Sequence, residues 1–145
     1  MISTCEFFGK NFAWNLNSLP DDRLDWKPAP TANSAFEVAQ HAAASLRNMQ
    51  LALEGQEYGV GSPPMPTTRE EAQDMIIGAA NAYADYLRGL TETPQGEVEL
   101  PWGILARAQA VGMPVQDLVH HHGQIAYIQT LLGDTSDHFF EFEGG

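Results

Sequence analysis

The chain has 145 residues, 43% hydrophobic and 18% charged, a composition that suits one globular domain spanning residues 1–145 with a core that needs no staples. Nineteen acidic residues against seven basic ones give a formal net charge of −12, which argues against nucleic acid or an anionic membrane as a partner. The single cysteine, Cys5, excludes an internal disulfide framework, and no charged leader or apolar run of about 18 residues is visible, so a cytoplasmic protein is expected.

Phe7, Phe8, Phe12, Leu16 and Leu19 recur at helical spacing and predict a first amphipathic helix over residues 2–18. Pro20 ends it, and the prolines at 28 and 30 hold the following stretch extended, with Trp26 as an anchor onto the helices. Ser34 and Glu37 have the spacing of a capping box. The second helix they open runs to about Gly55, with Val38, His41, Ala42, Ser45, Met49 and Leu53 on one face.

Residues 56–66 hold two glycines and three prolines and form a loop longer than antiparallel neighbours in bundles need. That length predicts a long crossover between helices two and three. Thr68 and Glu71 repeat the capping-box spacing, and Ile76, Ala79, Ala80, Tyr83 and Leu87 carry the third helix. Val98 to Gly103 reads as a short extended piece, and Ile104 to Val111 as either a helical turn or a loop. Pro114 stands well at the first position of a fourth helix, which Gly133 ends. His138 to Phe142 alternates aromatic and acidic residues, suiting an extended strand or an oligomer contact. The expected fold class is all-α, a four-helix bundle.

Two of these helices turn polar groups inward. On the fourth, Leu118, His121, Ile125, Ile128 and Leu132 fall on one side, with Asp117 one turn before His121 at the edge of that stripe. On the second, His41 sits among small residues. A carboxylate and an imidazole at i and i+4 can grip one cation, but the same spacing also serves a plain Asp–His hydrogen bond. His41 likewise reads either as a ligand or as a histidine satisfied within the core. The set His41, Asp117 and His121 around Zn²⁺ would leave one net positive charge and an open position, the pattern of a catalytic rather than a structural site.

Several short motifs succeed one another in a recognisable order. They are Leu16-x-x-Leu19-Pro20-Asp21-Asp22-x-Leu24-Asp25-Trp26-Lys27-Pro28, then Ser34-x-x-Glu37-x-x-x-His41, then His121-His122-Gly123-Gln124-Ile125. In this the chain resembles the DinB-like (DinB/YfiT) family of metal-dependent enzymes over nearly its whole length. The resemblance implies an up-down-down-up course for the four helices. It also implies three histidine ligands, one on the second helix and two at i and i+4 on the fourth. His41 and His121 match the first and last, while the middle position holds Asp117, a departure that bears on the choice of metal. His120 is the next candidate ligand. Gln124, on the side of Asp117 and His121, would orient a ligand or a bound water.

The implied cofactor is a divalent transition metal, Zn or Ni first, with Mn or Fe allowed by the carboxylate. The implied activity is that of a thiol-dependent transferase or isomerase, or of a hydrolase, on a small-molecule substrate. The nucleophile would come from outside the chain as a low-molecular-weight thiol or as water, because no basic residue flanks Cys5 to activate it. The other class left open is a non-catalytic metal- or ligand-binding bundle. A homodimer is expected from the resemblance and from aromatics outside the core helices, namely Trp102, Phe139, Phe140 and Phe142.

Overall fold

The structure, a computed structural model, describes residues 1–140. In chain order it comprises α1 (Ile2–Leu16), α2 (Ala35–Leu53), α3 (Arg69–Gly89), β1 (Glu97–Leu100), β2 (Gly103–Ala106), α4 (Arg107–Ala110) and α5 (Met113–Leu131). The fold is mostly helical, with α1, α2, α3 and α5 as the four long helices expected. The expectation of an all-α chain is corrected by a two-stranded antiparallel hairpin in which Glu97 faces Ala106 and Leu100 faces Gly103. The two-residue turn between the strands leaves Trp102 at its tip. Val98 and Leu100 turn inward on β1, which packs against α2. Residues 104–111, read from the sequence as a helical turn or a loop, differ from both at their start: 104–106 belong to strand β2, and the single turn of α4 follows.

Ser34 caps α2 as expected, its hydroxyl accepting from the Glu37 backbone N–H at 3.2 Å while the Ser34 N–H donates to the Glu37 carboxylate at 3.3 Å. At α3 the reciprocal box does not close. Thr68 Oγ1 accepts from the Glu71 N–H, but the Glu71 carboxylate reaches one residue further back, to the N–H and hydroxyl of Thr67 at 2.8 and 3.0 Å. Pro114 lies one residue inside α5, which starts at Met113. Beyond the other end of that helix, Gly133 takes a φ of 102°, the left-handed conformation that stops helices.

α1 packs on α3 and α5, and α2 packs on the same two. Arg69 at the start of α3 reaches Leu19 and Asp21 beyond the end of α1, while Arg88 near its end pairs with Glu6, so α1 and α3 are antiparallel. Asn11 meets His122 and Asn15 meets Gln129, so α1 and α5 run the same way. Along the seam of α2 and α5, Val38 lies near Ile128 and Met49 near Met113, which makes that pair antiparallel. Phe12, Leu16, Leu46, Ile76, Tyr83 and Leu118 fill the space between the four. Tyr83 is satisfied there by donating to the Val111 carbonyl at 2.6 Å.

The tightest approach joins α1 to α3. A Cβ added at Gly9 would stand 2.5 Å from the Ala80 Cβ, and Cys5 Sγ donates to the Ala80 carbonyl at 3.3 Å. Trp26 is half-buried against the core, as an anchor should be. The tail departs from the strand reading: Phe140 lies on α1, its ring 5.5 Å from that of Phe7, and its N–H donates to Asn11. Phe142 lies outside the described residues. Among the described residues no helix is long and apolar enough to cross a membrane.

Candidate functional site

The inward face of α2 is centred on Ala39, Ala42, Ala43 and Leu46, all fully buried. His41 and Ser45 therefore stand at the edge of that face. The sequence placed His41 in the core, but it is exposed to a cavity of about 780 Å³ between α2 and α5. Asp117 and His121 reach the same cavity from α5. All three candidate ligands thus line one space, and the rings of His41 and His121 are 6.1 Å apart, centroid to centroid.

His121 is 9% exposed, and its Nδ1 lies 2.8 Å from the Asp117 backbone carbonyl. A carbonyl can only accept, so Nδ1 carries the proton and Nε2 keeps its lone pair, the tautomer a metal-ligating histidine needs. Asp117 Oδ2 is 3.1 Å from the same Nδ1, yet it is buried and makes no hydrogen bond. The two distances agree once the proton is placed on the carbonyl line, because the carboxylate then has charge proximity without a donor. Burial opposes the protonation of His121, but the side-chain and backbone oxygens of Asp117 outweigh it and raise the imidazole pKa.

Two imidazoles sharing one tetrahedral ion at about 2.1 Å would place their ring centroids roughly 5 Å apart. The observed spacing needs an adjustment of about 1 Å, within reach of small χ rotations of an exposed His41. An orphaned carboxylate oxygen lies behind the pair, on the Nδ1 side of His121. As the side chains stand, Asp117 faces the Nδ1 edge of His121, and among the described residues no three His, Cys, Asp or Glu groups are gathered tightly enough to hold an ion. The residues fit a metal as a histidine pair with the carboxylate behind it.

Of the other predicted residues, Gln124 and His122 lie elsewhere and His120 stands at the edge of the cavity. Gln124 shares the side of Asp117 but sits seven residues on, about 10 Å along the axis. It lines a second cavity, of about 580 Å³, and meets His120 Nε2 at 3.3 Å. His120 is exposed and borders both cavities. His122, read from the sequence as pointing aside, is buried against α1, where Asn11 Nδ2 donates to its Nε2 at 2.8 Å and the Asn15 amide lies 2.9 Å away. Burial lowers its pKa. The signal for this cluster was present in Asn11 and Asn15, polar groups one turn apart on the apolar face of helix one. His138 pairs with Asp134 at 2.7 Å, at the far end of α5.

Two cavity residues were not foreseen as such. Tyr58, on the loop between α2 and α3, lines the cavity with Ser45 and Asp117; burial first, then that carboxylate, raises its pKa. Trp102 meets the Tyr58 ring edge-on at 5.2 Å. Two amides on α2 pin the loop in place. Asn48 donates to Ser62 Oγ and accepts from the Gly61 N–H, both at 2.8 Å, and Gln40 donates to the Pro63 carbonyl at 3.0 Å. Cys5 is fully buried, and burial pushes its thiol up to about 11, so no internal thiolate serves the cavity.

The family model described as DinB superfamily matches residues 6–125. A DinB-like protein from Bacillus subtilis superposes with a TM-score of 0.74 at 18% identity, covering 96% of this chain and 95% of that one. A DinB-like protein from Bacillus cereus does so with a TM-score of 0.71 at 17% identity, covering 91% and 90%. At those identities the likeness is one of fold. No curated protein matches the chain.

Proposed function

The chain belongs to the DinB superfamily, and from that premise we propose that the cavity between α2 and α5 is a metal-dependent active site of the thiol-transferase type. His41 and His121 are its nitrogen donors, and Asp117, predicted as the third ligand, stands behind His121 as the carboxylate that orients its ring. The observation that carries the reading is the state of His121, whose Nδ1 proton is held by the Asp117 carbonyl at 2.8 Å, which leaves the lone pair on Nε2, in a ring 6.1 Å from that of an exposed histidine. A bound Zn²⁺ or Ni²⁺ ion, or the Mn²⁺ or Fe²⁺ that a carboxylate also suits, supplies Lewis acidity and lowers the pKa of a thiol or water. The up-down-down-up course of the four long helices, supported by the pairings described above, is what brings α2 and α5 together for this purpose.

The chain's own groups bind and orient. Asp117 holds the His121 ring, Trp102 packs on the Tyr58 ring, and Asn48 and Gln40 hold the loop on which Tyr58 stands. The buried Cys5 contributes no nucleophile, so the attacking sulfur comes from a low-molecular-weight thiol. A cavity of about 780 Å³ is large enough for such a thiol together with an acceptor. The test is metal analysis of protein purified without a histidine tag and reconstituted with zinc. One equivalent per chain is expected, lost in His41→Ala and in His121→Ala and kept in His120→Ala. No retained zinc in the wild type, or loss confined to His120→Ala, overturns the reading; turnover of esters with water in place of thiol transfer would move it to the hydrolase class.

A homodimer is proposed as well. Tyr127 and Leu131, 64% and 45% exposed, flank the second cavity, whose lining holds no Asp, Glu, Lys or Arg. Two copies of a strongly acidic chain can approach most closely at such a face. Light scattering at micromolar concentration should give twice the 15.9 kDa chain mass, and the monomer mass would refute it.

A further inference from the structure

The mouth of the cavity between α2 and α5 has a chemical character of its own. Its outer wall is aromatic and carried by two connecting segments: Tyr58 from the crossover loop and Trp102 from the hairpin tip. Trp102 is 54% exposed, an unusual position for the largest side chain in a protein, and its uncovered surface lies beside the opening. Met49 and Met113 add soft, adaptable surface on the walls.

The charge pattern of the same cavity is one-sided. Of the seven basic residues of the chain, none lines it. Arg69 and Arg88 are engaged with acidic partners, Lys27 with Glu37, and Arg107 with the Leu53 carbonyl. Arg47 is directed toward Gly78 of α3, and Lys10 lies over the Phe140 ring. Asp117 is the one Asp, Glu, Lys or Arg that lines the cavity, and behind Tyr58 a neighbouring cavity is lined by Glu57, Glu97 and Glu99 together with Arg107, three acidic groups to one basic. A carboxylate or phosphate on a ligand would meet no lysine or arginine in the cavity and a net negative field behind. A flat π-system without negative charge meets an exposed indole and a phenol, and a cationic one gains from the ring faces too.

We propose that the Tyr58–Trp102 mouth is the subsite for a planar organic group bearing no negative charge, so that the substrate of this cavity carries a neutral or cationic aromatic group at its outer end, with any anionic group at the metal end. This names the substrate class of the site proposed above and rests on that site being the binding cavity. Trp102 supplies the stacking surface, and Tyr58, on the loop that the Asn48 clamp holds, supplies an edge against it.

Benzamide, benzamidine and benzoate share one shape and carry charges of zero, plus one and minus one, so their binding isolates the effect of charge. The full-length metal-free protein is titrated with each at pH 8, following the Trp102 indole N–H resonance, which Trp102→Phe identifies. Benzamide and benzamidine should shift that resonance, with benzoate binding at least about tenfold more weakly. Trp102→Ala should weaken benzamide at least about fivefold, while Trp14→Phe leaves it unchanged. Benzoate binding as tightly as benzamide, or benzamide affinity unaltered in Trp102→Ala, overturns the proposal. If Trp102→Ala misfolds, Tyr58→Leu is the second variant, with the same expected loss. Zinc separates the two readings: a metal in the cavity should draw benzoate in, whereas benzoate binding indifferent to zinc would refute the metal and leave the aromatic subsite standing.

Discussion

Replacing Gly9 with alanine sets two effects of opposite sign against each other. Within a helix, Gly→Ala stabilises by about 1 kcal/mol through backbone entropy. Against this, the new Cβ would lie 2.5 Å from the Ala80 Cβ. Carbon atoms rest about 3.5–4.0 Å apart, so the contact is short by about 1 Å or more. A flexible side chain could swing away, but a Cβ moves only with its backbone, so α3 must back off from α1. Overpacking of this kind costs about 1–3 kcal/mol, and the shift also stretches the Cys5–Ala80 hydrogen bond. The balance is a net loss of up to about 2 kcal/mol. For a chain of this length, 1 kcal/mol corresponds to a melting shift of roughly 3 °C, so a fall of up to about 6 °C is expected. Urea unfolding of Gly9→Ala, Ala80→Gly and the double variant forms a cycle in which the second change should relieve the first. A raised midpoint for Gly9→Ala, or zero coupling in the cycle, would show that the helices do not approach as described.

Asn48→Ala removes the acceptor of the Gly61 N–H and the donor to Ser62, and should destabilise by about 2–3 kcal/mol in urea unfolding; a change below about 0.5 kcal/mol would mean the clamp is idle. Cys5, held near 11 by burial, should react with an aromatic disulfide at pH 8 only as fast as the protein opens, and rapid stoichiometric labelling would contradict its placement. His122 has a folded pKa below its ordinary 6.5, so the unfolded chain binds the proton first. Its contribution is complete above about pH 6.5 and is lost as pH falls through the folded value. Because His121 is shifted upward and its contribution fades with rising pH, the comparison that isolates His122 is wild type against His122→Gln. The variant should lose less stability between pH 7 and pH 5, and parallel curves would refute the assignment.

The features legible in the residues were those decided locally. Ser34 and Glu37 sit three apart and close a box, and Asp117 and His121 sit four apart and meet. Bringing His41 to the same cavity was also readable, since it needed only the phase of one helix and the wish of small residues to pack. What periodicity could not resolve was the width of each buried face. One step of phase moved His41 from the core to the cavity wall and buried His122. Gln124 shows a second blind spot, because a helical projection keeps azimuth and discards the axial offset. The hairpin was missed as a pair because four-residue strands carry too few alternations to be distinguished from a loop. Tyr58 lay in a segment with no period at all, and its place is set by its tertiary contact with Trp102.

The crossover between α2 and α3 also has slack. α2 is 19 residues long, about 28 Å at helical rise, and an extended chain covers that distance in roughly 8–9 residues. The connection occupies residues 54–68, longer than the return journey demands. Its route shows where the excess goes: Tyr58 stands over Asp117, Gly61 reaches Asn48, and Pro63 reaches Gln40, so the segment climbs back beside α2 and bows outward at its lower end. That bow is the outer wall of the cavity. Residues can be added to it or taken from it without altering the phase of either helix, so the lineage of this chain can retailor what the pocket admits while the donors on α2 and α5 stay where they are.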